Sequence, residues 1–284
     1  MTDLQKITTA PGLTFDVLVA GPEDAPLVLL LHGFSESFHM WRHHAETLAA
    51  AGYRAVAPSQ RGYSPGARPD PNVHANYAFD LLVGDAMAIA ARCGRAGRFH
   101  LVGHDWGGSL AWAIADRTPE RLASLTILSR PHPVAFNRAL AHPDGEQKRR
   151  SQHHSDFLAP GAVPRLVADD ARWLRERLKR NNVPSDAIDR HVAVLGNAAA
   201  MEAALAWYRA RGTHHAEPKR TVVPTLYIWG DADDVGRAAA EGTVDCVTAP
   251  YQFAVLPGGG HFCADQFPEK VSALILAHLA KHPA

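Results

Sequence analysis

The chain has 284 residues, 46% of them hydrophobic and 20% charged, which suits one large α/β domain or a core with an inserted subdomain. Its 29 Lys and Arg residues balance 29 Asp and Glu, so no basic surplus points to nucleic acid and no charged block reads as a tail. Cys93, Cys246 and Cys263 are widely spaced, no leader pattern opens the chain, and no apolar run reaches membrane length; these features predict a soluble cytoplasmic protein with reduced thiols and no membrane partner.

In chain order, residues 13–19 alternate and predict an edge strand. Residues 27–31 form a continuous apolar run, as a strand buried on both faces requires, and His32-Gly33-Phe34 ends it. A helical pattern over 41–51 stops at Gly52. A strand at 53–57 leads to the loop Gln60-Arg61-Gly62-Tyr63-Ser64. Residues 77–93 predict a helix, and 99–102 a strand that runs into Gly103-His104-Asp105-Trp106-Gly107. Helical character resumes at 108–115, and 122–128 reads as another buried strand.

Strand–helix alternation then stops. Residues 131–212 look helical throughout, with charged amphipathic pieces such as 169–179. Alternation resumes with strands at 222–229 and 253–256 and a helix at 271–280. The prediction is an α/β protein with a mostly parallel, doubly wound sheet. A discontinuous core of residues 1–131 and 214–284 would carry a helical cap of 132–213. The hinges would be Pro131-His132-Pro133 and residues 213–218.

The segment around Asp105 resembles the nucleophile elbow of α/β-hydrolases, a strand, a Gly-x-nucleophile-x-Gly turn and a helix. The usual occupant of the middle position is Ser, which needs a base to attack a carbonyl. Asp, with an unperturbed pKa of about 3.9, is already ionised at neutral pH. Its natural target is a saturated carbon bearing a leaving group, and the product is an alkyl-enzyme ester that activated water can hydrolyse. Epoxides and alkyl halides are electrophiles of this kind. His104 beside it reads as a packed, hydrogen-bonded histidine.

A carboxylate and then a His should follow the elbow in chain order. Trp229-Gly230-Asp231-Ala232-Asp233 closes a strand, and the Gly-x-x-Asp spacing favours Asp233 over Asp231 and Asp234. Gly258-Gly259-Gly260-His261 follows the last strand, placing His261 at the same carboxyl edge of the sheet. His261 would be the general base on the hydrolytic water, and Asp233 would fix its tautomer. The backbone N–H groups of Phe34 and Trp106 would form an oxyanion hole, each worth about 3–4 kcal/mol. The 17 histidines are scattered, and adjacent pairs such as His43-His44, His153-His154 and His214-His215 point to different sides of an element. None has a metal-ligand spacing, so no metal or other cofactor is expected.

These motifs are similar to those of the α/β-hydrolase-fold epoxide hydrolases, which are related to haloalkane dehalogenases. His32-Gly33-Phe34-Ser35-Glu36-Ser37 with Met40-Trp41-Arg42 resembles their HGFPES…WR segment. Gln60–Ser64 resembles their Arg-Gly-Tyr loop, Val102–Gly108 their nucleophile segment, and Trp207-Tyr208-Arg209 the segment that carries a ring-opening Tyr. The resemblance implies that two acidic groups of the cap protonate the epoxide oxygen while the carboxylate attacks. Tyr208 takes one role by its motif. The other belongs to a Tyr ahead of a Pro-Gly, but residues 151–161 contain none; His153 is the nearest match and His154 the next. Ser35 replaces a Pro of the family and lacks its built-in restriction of φ.

The expected reaction is therefore the opening of a small apolar epoxide to a vicinal diol by a monomer or homodimer. Other readings stay open at this point. A haloalkane dehalogenase would use the Trp106 indole N–H on halide and need a second donor, for which Phe34 has no side-chain group and Trp173 or Trp207 would have to serve. Fluoroacetate dehalogenases place Arg where this chain has Trp106. A catalytically silent ligand-binding α/β-hydrolase, or an esterase or lactonase, would keep the fold without this chemistry.

Overall fold

The computed structural model describes residues 2–94, 97–210 and 218–284. Eight strands form one sheet: β1 Thr2–Ala10, β2 Leu13–Ala20, β3 Leu27–Leu31, β4 Arg54–Pro58, β5 Phe99–His104, β6 Leu122–Leu128, β7 Thr225–Gly230 and β8 Tyr251–Leu256. Their spatial order is β1-β2-β4-β3-β5-β6-β7-β8. β2 runs antiparallel to both β1 and β4, and every other pair is parallel.

The edge belongs to β1, not to residues 13–19 as expected. β1 has only exposed and half-buried residues, so the apolar alternation that marks a strand is missing from its sequence. β3 shows the opposite case. All five of its residues are buried, and the pleat sends Leu27, Leu29 and Leu31 into one core and Val28 and Leu30 into the other. A helix layer covers each face. α1 Arg42–Ala50 and the last helix, Pro268–Lys281, lie over the Val28 face. α2 Phe79–Cys93 and α3 Trp106–Arg117 lie over the Leu29 face.

Among the described residues, six helices stand between β6 and β7: α4 Pro133–Leu140, α5 Glu146–Arg150, α6 His153–Leu158, α7 Ala162–Arg180, α8 Ser185–Leu195 and α9 Ala198–Arg209. α7 is broken at residues 168–171, where Asp169, Asp170 and Ala171 take positive φ, so the predicted amphipathic piece 169–179 starts inside the kink. The Asn197 side chain caps α9 by accepting the Ala200 N–H at 3.0 Å. The first expected hinge, Pro131–Pro133, leads into α4; the second begins in residues 213–217, outside the described residues. No helix among the described residues is long and apolar enough to cross a membrane.

Candidate active site

β4 lies on one side of β3 and β5 on the other, so the chain switches direction across the sheet at β3. Such a switch opens a crevice at the carboxyl ends of the strands. The loops after β3 and β5 meet there. Asp105 stands between β5 and α3 with φ 49° and ψ −114°, a backbone strained for a residue with a Cβ. A Cβ on Gly107 would run into the Leu31 carbonyl, and one on Gly33 into the Asp105 side chain. These two glycines let the loops close until the Phe34 N–H donates to Asp105 Oδ1 at 2.9 Å. The Phe34–Ser35 peptide is cis, and Ser35 is buried. Trp106 opens α3, and its ring packs edge to face on Tyr208 and Trp207.

Asp233 and His261 come from the loops after β7 and β8. Those loops are sewn together by Ala232 N–H to the Gly259 carbonyl at 2.9 Å and Gly258 N–H to Asp231 Oδ1 at 2.7 Å. Asp233 is buried, and its Oδ1 lies 2.8 Å from His261 Nδ1 while accepting the Val235 N–H at 3.0 Å. His261 Nε2 lies 3.6 Å from Asp105 Oδ2. The three neighbouring aspartates thus do different work: Asp231 holds the loop, Asp233 faces His261, and Asp234 pairs with Arg177 of α7 at 3.3 Å.

Burial works against the charge of Asp105, but its attraction to His261, with His104 and Arg130 behind, outweighs it and holds the carboxyl well below the usual carboxylate range. Burial also opposes charge on His261; Asp233 and Asp105 together outweigh it and hold the imidazole well above the usual histidine range. The free site is therefore an imidazolium between two carboxylates. His104 is neutral, pushed down to about 4 by burial and then by His261. Its Nε2 meets the His261 carbonyl at 2.8 Å, so Nε2 carries the proton and Nδ1 turns a lone pair to Glu36 Oε2 at 3.2 Å. Burial and the neighbouring Asp265 raise the Glu36 carboxyl well above its ordinary value, so it faces Nδ1 as a neutral acid.

The inserted helices close the space above Asp105. Tyr208, at the end of α9, is buried among the rings of Phe34, Trp106 and Phe157, 5.1–5.7 Å away between centroids. His153 and His154 open α6, and both line the cavity that holds Asp105 and His261. They face different neighbours. The His154 ring is 5.7 Å from Tyr208, whereas His153 Nδ1 bonds the Arg150 carbonyl at 3.1 Å. Burial, then the charge of Arg177, lowers the His153 pKa. Gln147, Arg130 and Asp234 also line this cavity, so its wall is partly polar. A larger cleft beside it has Trp106, Trp112, Trp207, Tyr77 and Phe79 in its walls and shares Arg130.

The expected positions thus fall into one crevice, although they come from six separate stretches of chain. Glu36, Arg130, His191 and Asp265 stand in or around it without having been singled out. Glu36 lies inside the quoted HGFSES segment; the others carry no local signature. Trp207, a conceivable second halide donor, spends its indole N–H on the Arg61 carbonyl at 2.9 Å. Among the described residues, one group could offer three donors to a cation, Glu36, His191 and Asp265, with ligand atoms within 4.8 Å of one another. His191 Nε2 and Asp265 Oδ2 are already bonded at 2.8 Å and Glu36 is neutral, so a cation would have to displace two protons.

A sequence model of the family described as alpha/beta hydrolase fold matches residues 26–268. The AB hydrolase superfamily protein YfhM of Bacillus subtilis is 31% identical over 279 residues, covering 94% of this chain and 95% of the relative. Epoxide hydrolase A of Mycobacterium tuberculosis is 30% identical over 321 residues, covering 97% of both chains. Among solved structures, one from a study of novel epoxide hydrolases in hot-environment metagenomes superposes with a TM-score of 0.83 at 31% identity, covering 99% of this chain and 100% of the other. Epoxide hydrolase A of Mycobacterium thermoresistibile gives 0.79 at 25% identity, covering 99% of this chain and 98% of the other.

Proposed function

The chain belongs to the α/β-hydrolase fold family, and from that premise we propose that this enzyme opens epoxides to vicinal diols through an ester on Asp105. One observation carries the reading. The residue at the nucleophile turn is an ionised carboxylate, held on one oxygen by the Phe34 N–H and facing a His261–Asp233 pair with the other. Residues 132–213 act as the helical cap and 1–131 with 214–284 as the core.

Asp105 attacks an epoxide carbon in line, the C–O bond breaks, and the departing oxygen takes a proton from the Tyr208 hydroxyl, with His153 as the second cap group. The resulting ester has no negative charge, so His261 gives up its extra proton, and through solvent the Tyr208 phenolate takes one back. His261 then removes a proton from water, which adds to the ester carbonyl. The oxyanion meets the N–H groups of Phe34 and Trp106. Collapse of this adduct releases the diol and restores the carboxylate. Asp233 keeps the Nδ1 proton of His261 in place throughout.

Halide displacement uses the same first step but needs two donors on the leaving halide. Trp207 is committed to a backbone carbonyl, which leaves Trp173 as the remaining candidate for that second donor. The three cysteines are free and buried, which supports a reducing compartment such as the cytoplasm as the place of action. Incubation with styrene oxide and, separately, with 1-bromobutane tests the assignment. Diol release with little bromide is expected; bromide without diol would make the enzyme a dehalogenase, and silence toward a broad panel of both would make it a binding protein.

A further inference from the structure

We propose that His191 of α8 is a positioning residue for this reaction: one buried imidazole ties the loop bearing Phe34 and the segment bearing His261 to the inserted helices. The inference deepens the proposed function and rests on it for the chemistry, though not for the geometry.

His191 is fully buried. Its Nδ1 lies 3.1 Å from the Ser37 backbone N and 3.0 Å from Ser37 Oγ, and its Nε2 lies 2.8 Å from Asp265 Oδ2. A backbone N–H can only donate, so Nδ1 is a bare acceptor and the ring proton sits on Nε2. Nε2–H then donates to Asp265. Both sides are satisfied by a neutral ring and an ionised Asp265; burial opposes that ionisation, and the contacts of Asp265, led by the His191 hydrogen bond, together outweigh it.

The two partners are not arbitrary places in the fold. Ser37 is three residues beyond Phe34, whose N–H holds Asp105. Asp265 is four residues beyond His261, in a short helix, Cys263–Gln266. The next residue, Gln266, accepts the Gly260 N–H at 2.7 Å, so this helix and the His261 loop move together. α8 also packs on the turn Phe38–Trp41 that follows Ser37. Three pieces of chain that meet only in the tertiary structure are thus fixed by one ring, with an acceptor on one side and a donor on the other. Phe34 and His261 both act in ester hydrolysis, so loosening His191 should fall hardest on that step. Misplacement by about 1 Å is enough to cost about 10²-fold.

Asn overlays the Nδ1 side of His, and Gln overlays the Nε2 side. The test compares His191→Asn, His191→Gln and His191→Phe, well below their melting temperatures, with styrene oxide in single turnover. Mass spectrometry follows formation and decay of the Asp105 ester. His191→Phe is expected to slow ester decay about 10- to 100-fold while KM changes little. The two polar variants should recover part of the loss, and they decide the matter if His191→Phe does not fold. A role in stability alone would lower Tm and leave the decay of the ester at the wild-type rate in every folded variant; that result overturns the proposal. A readout independent of turnover is the NMR resonance of the His261 Nδ1 proton in the free protein. It should shift in His191→Phe, and an unmoved resonance overturns the proposal as well. If the wild type makes no diol at all, the function assignment fails, and the NMR arm still decides the role of His191.

Discussion

His261 Nε2 stands 3.6 Å from Asp105 Oδ2, beyond a good hydrogen bond but well within ion-pair range. In the proposed mechanism these are the base of the second step and the nucleophile of the first, and each sets the other's charge. In the free protein Asp105 and Asp233 both stabilise the imidazolium. On that mechanism, esterification of Asp105 removes one of those anions, and His261 becomes a base at the moment a base is required.

This linkage has a sign that can be measured. Asp105→Asn imitates the ester by removing one negative charge, so the titration of His261 should move to lower pH than in the wild type. Asp233→Asn should move it further the same way, because Asp233 is the larger of the two stabilising influences. Imidazole ¹⁵N chemical shifts recorded against pH check both. An unmoved midpoint in Asp105→Asn would mean that the pair does not communicate.

Replacing the base should stop the reaction halfway. In His261→Gln, attack by Asp105 survives and hydrolysis loses about 10²–10⁴-fold. Intact-protein mass spectrometry after addition of an epoxide should show the protein heavier by one substrate. Continued turnover with no mass gain would remove the covalent ester from the mechanism.

The cap acids differ in their pH behaviour. An ordinary phenol, with a pKa of about 10, keeps its proton across neutral pH, so alkylation through Tyr208 is expected to be level there. His153 bonds the Arg150 carbonyl through Nδ1, so its neutral ring offers Nε2 only as an acceptor. It can protonate the epoxide only as an imidazolium, and burial lowers its pKa, so that form grows as pH falls. Tyr208→Phe should slow alkylation about 10²-fold, and the residual rate should rise toward acid pH. Single-turnover alkylation measured across a pH series checks this; a level residual rate would take His153 out of the acid role.

Beneath the site, Arg61 and Asp85 form a buried two-pronged ion pair at 2.6 and 2.8 Å, and the Arg61 carbonyl holds Trp207 of α9. Asp85→Ala leaves a buried guanidinium without its counter-charge. A loss of about 3–5 kcal/mol in unfolding free energy is expected, read from urea denaturation. A loss below about 1 kcal/mol would show that water reaches Arg61 and replaces its partner.

What could be read from the chain alone were features whose signal is local. The five residues around Asp105 are contiguous, and their glycines are needed because the first turn of α3 lies against Gly103 and the end of β3 against Gly107. A buried strand such as β3 is an apolar run because both faces are covered. Asp233 and His261 could be placed at one edge because each lies just after a strand, and strand ends of a parallel sheet share one edge. β1 escaped notice because a strand that buries little leaves no apolar period. Only tertiary structure decided how the inserted helices meet the core. His154 came to face Tyr208 while His153 turned to its own backbone, and His191 reached Ser37 and Asp265 across 154 and 74 positions. Such contacts depend on helix packing angles and on single hydrogen bonds. Neither leaves a periodic trace in a sequence, because the partners are set by where whole elements dock, not by what stands next to them in the chain.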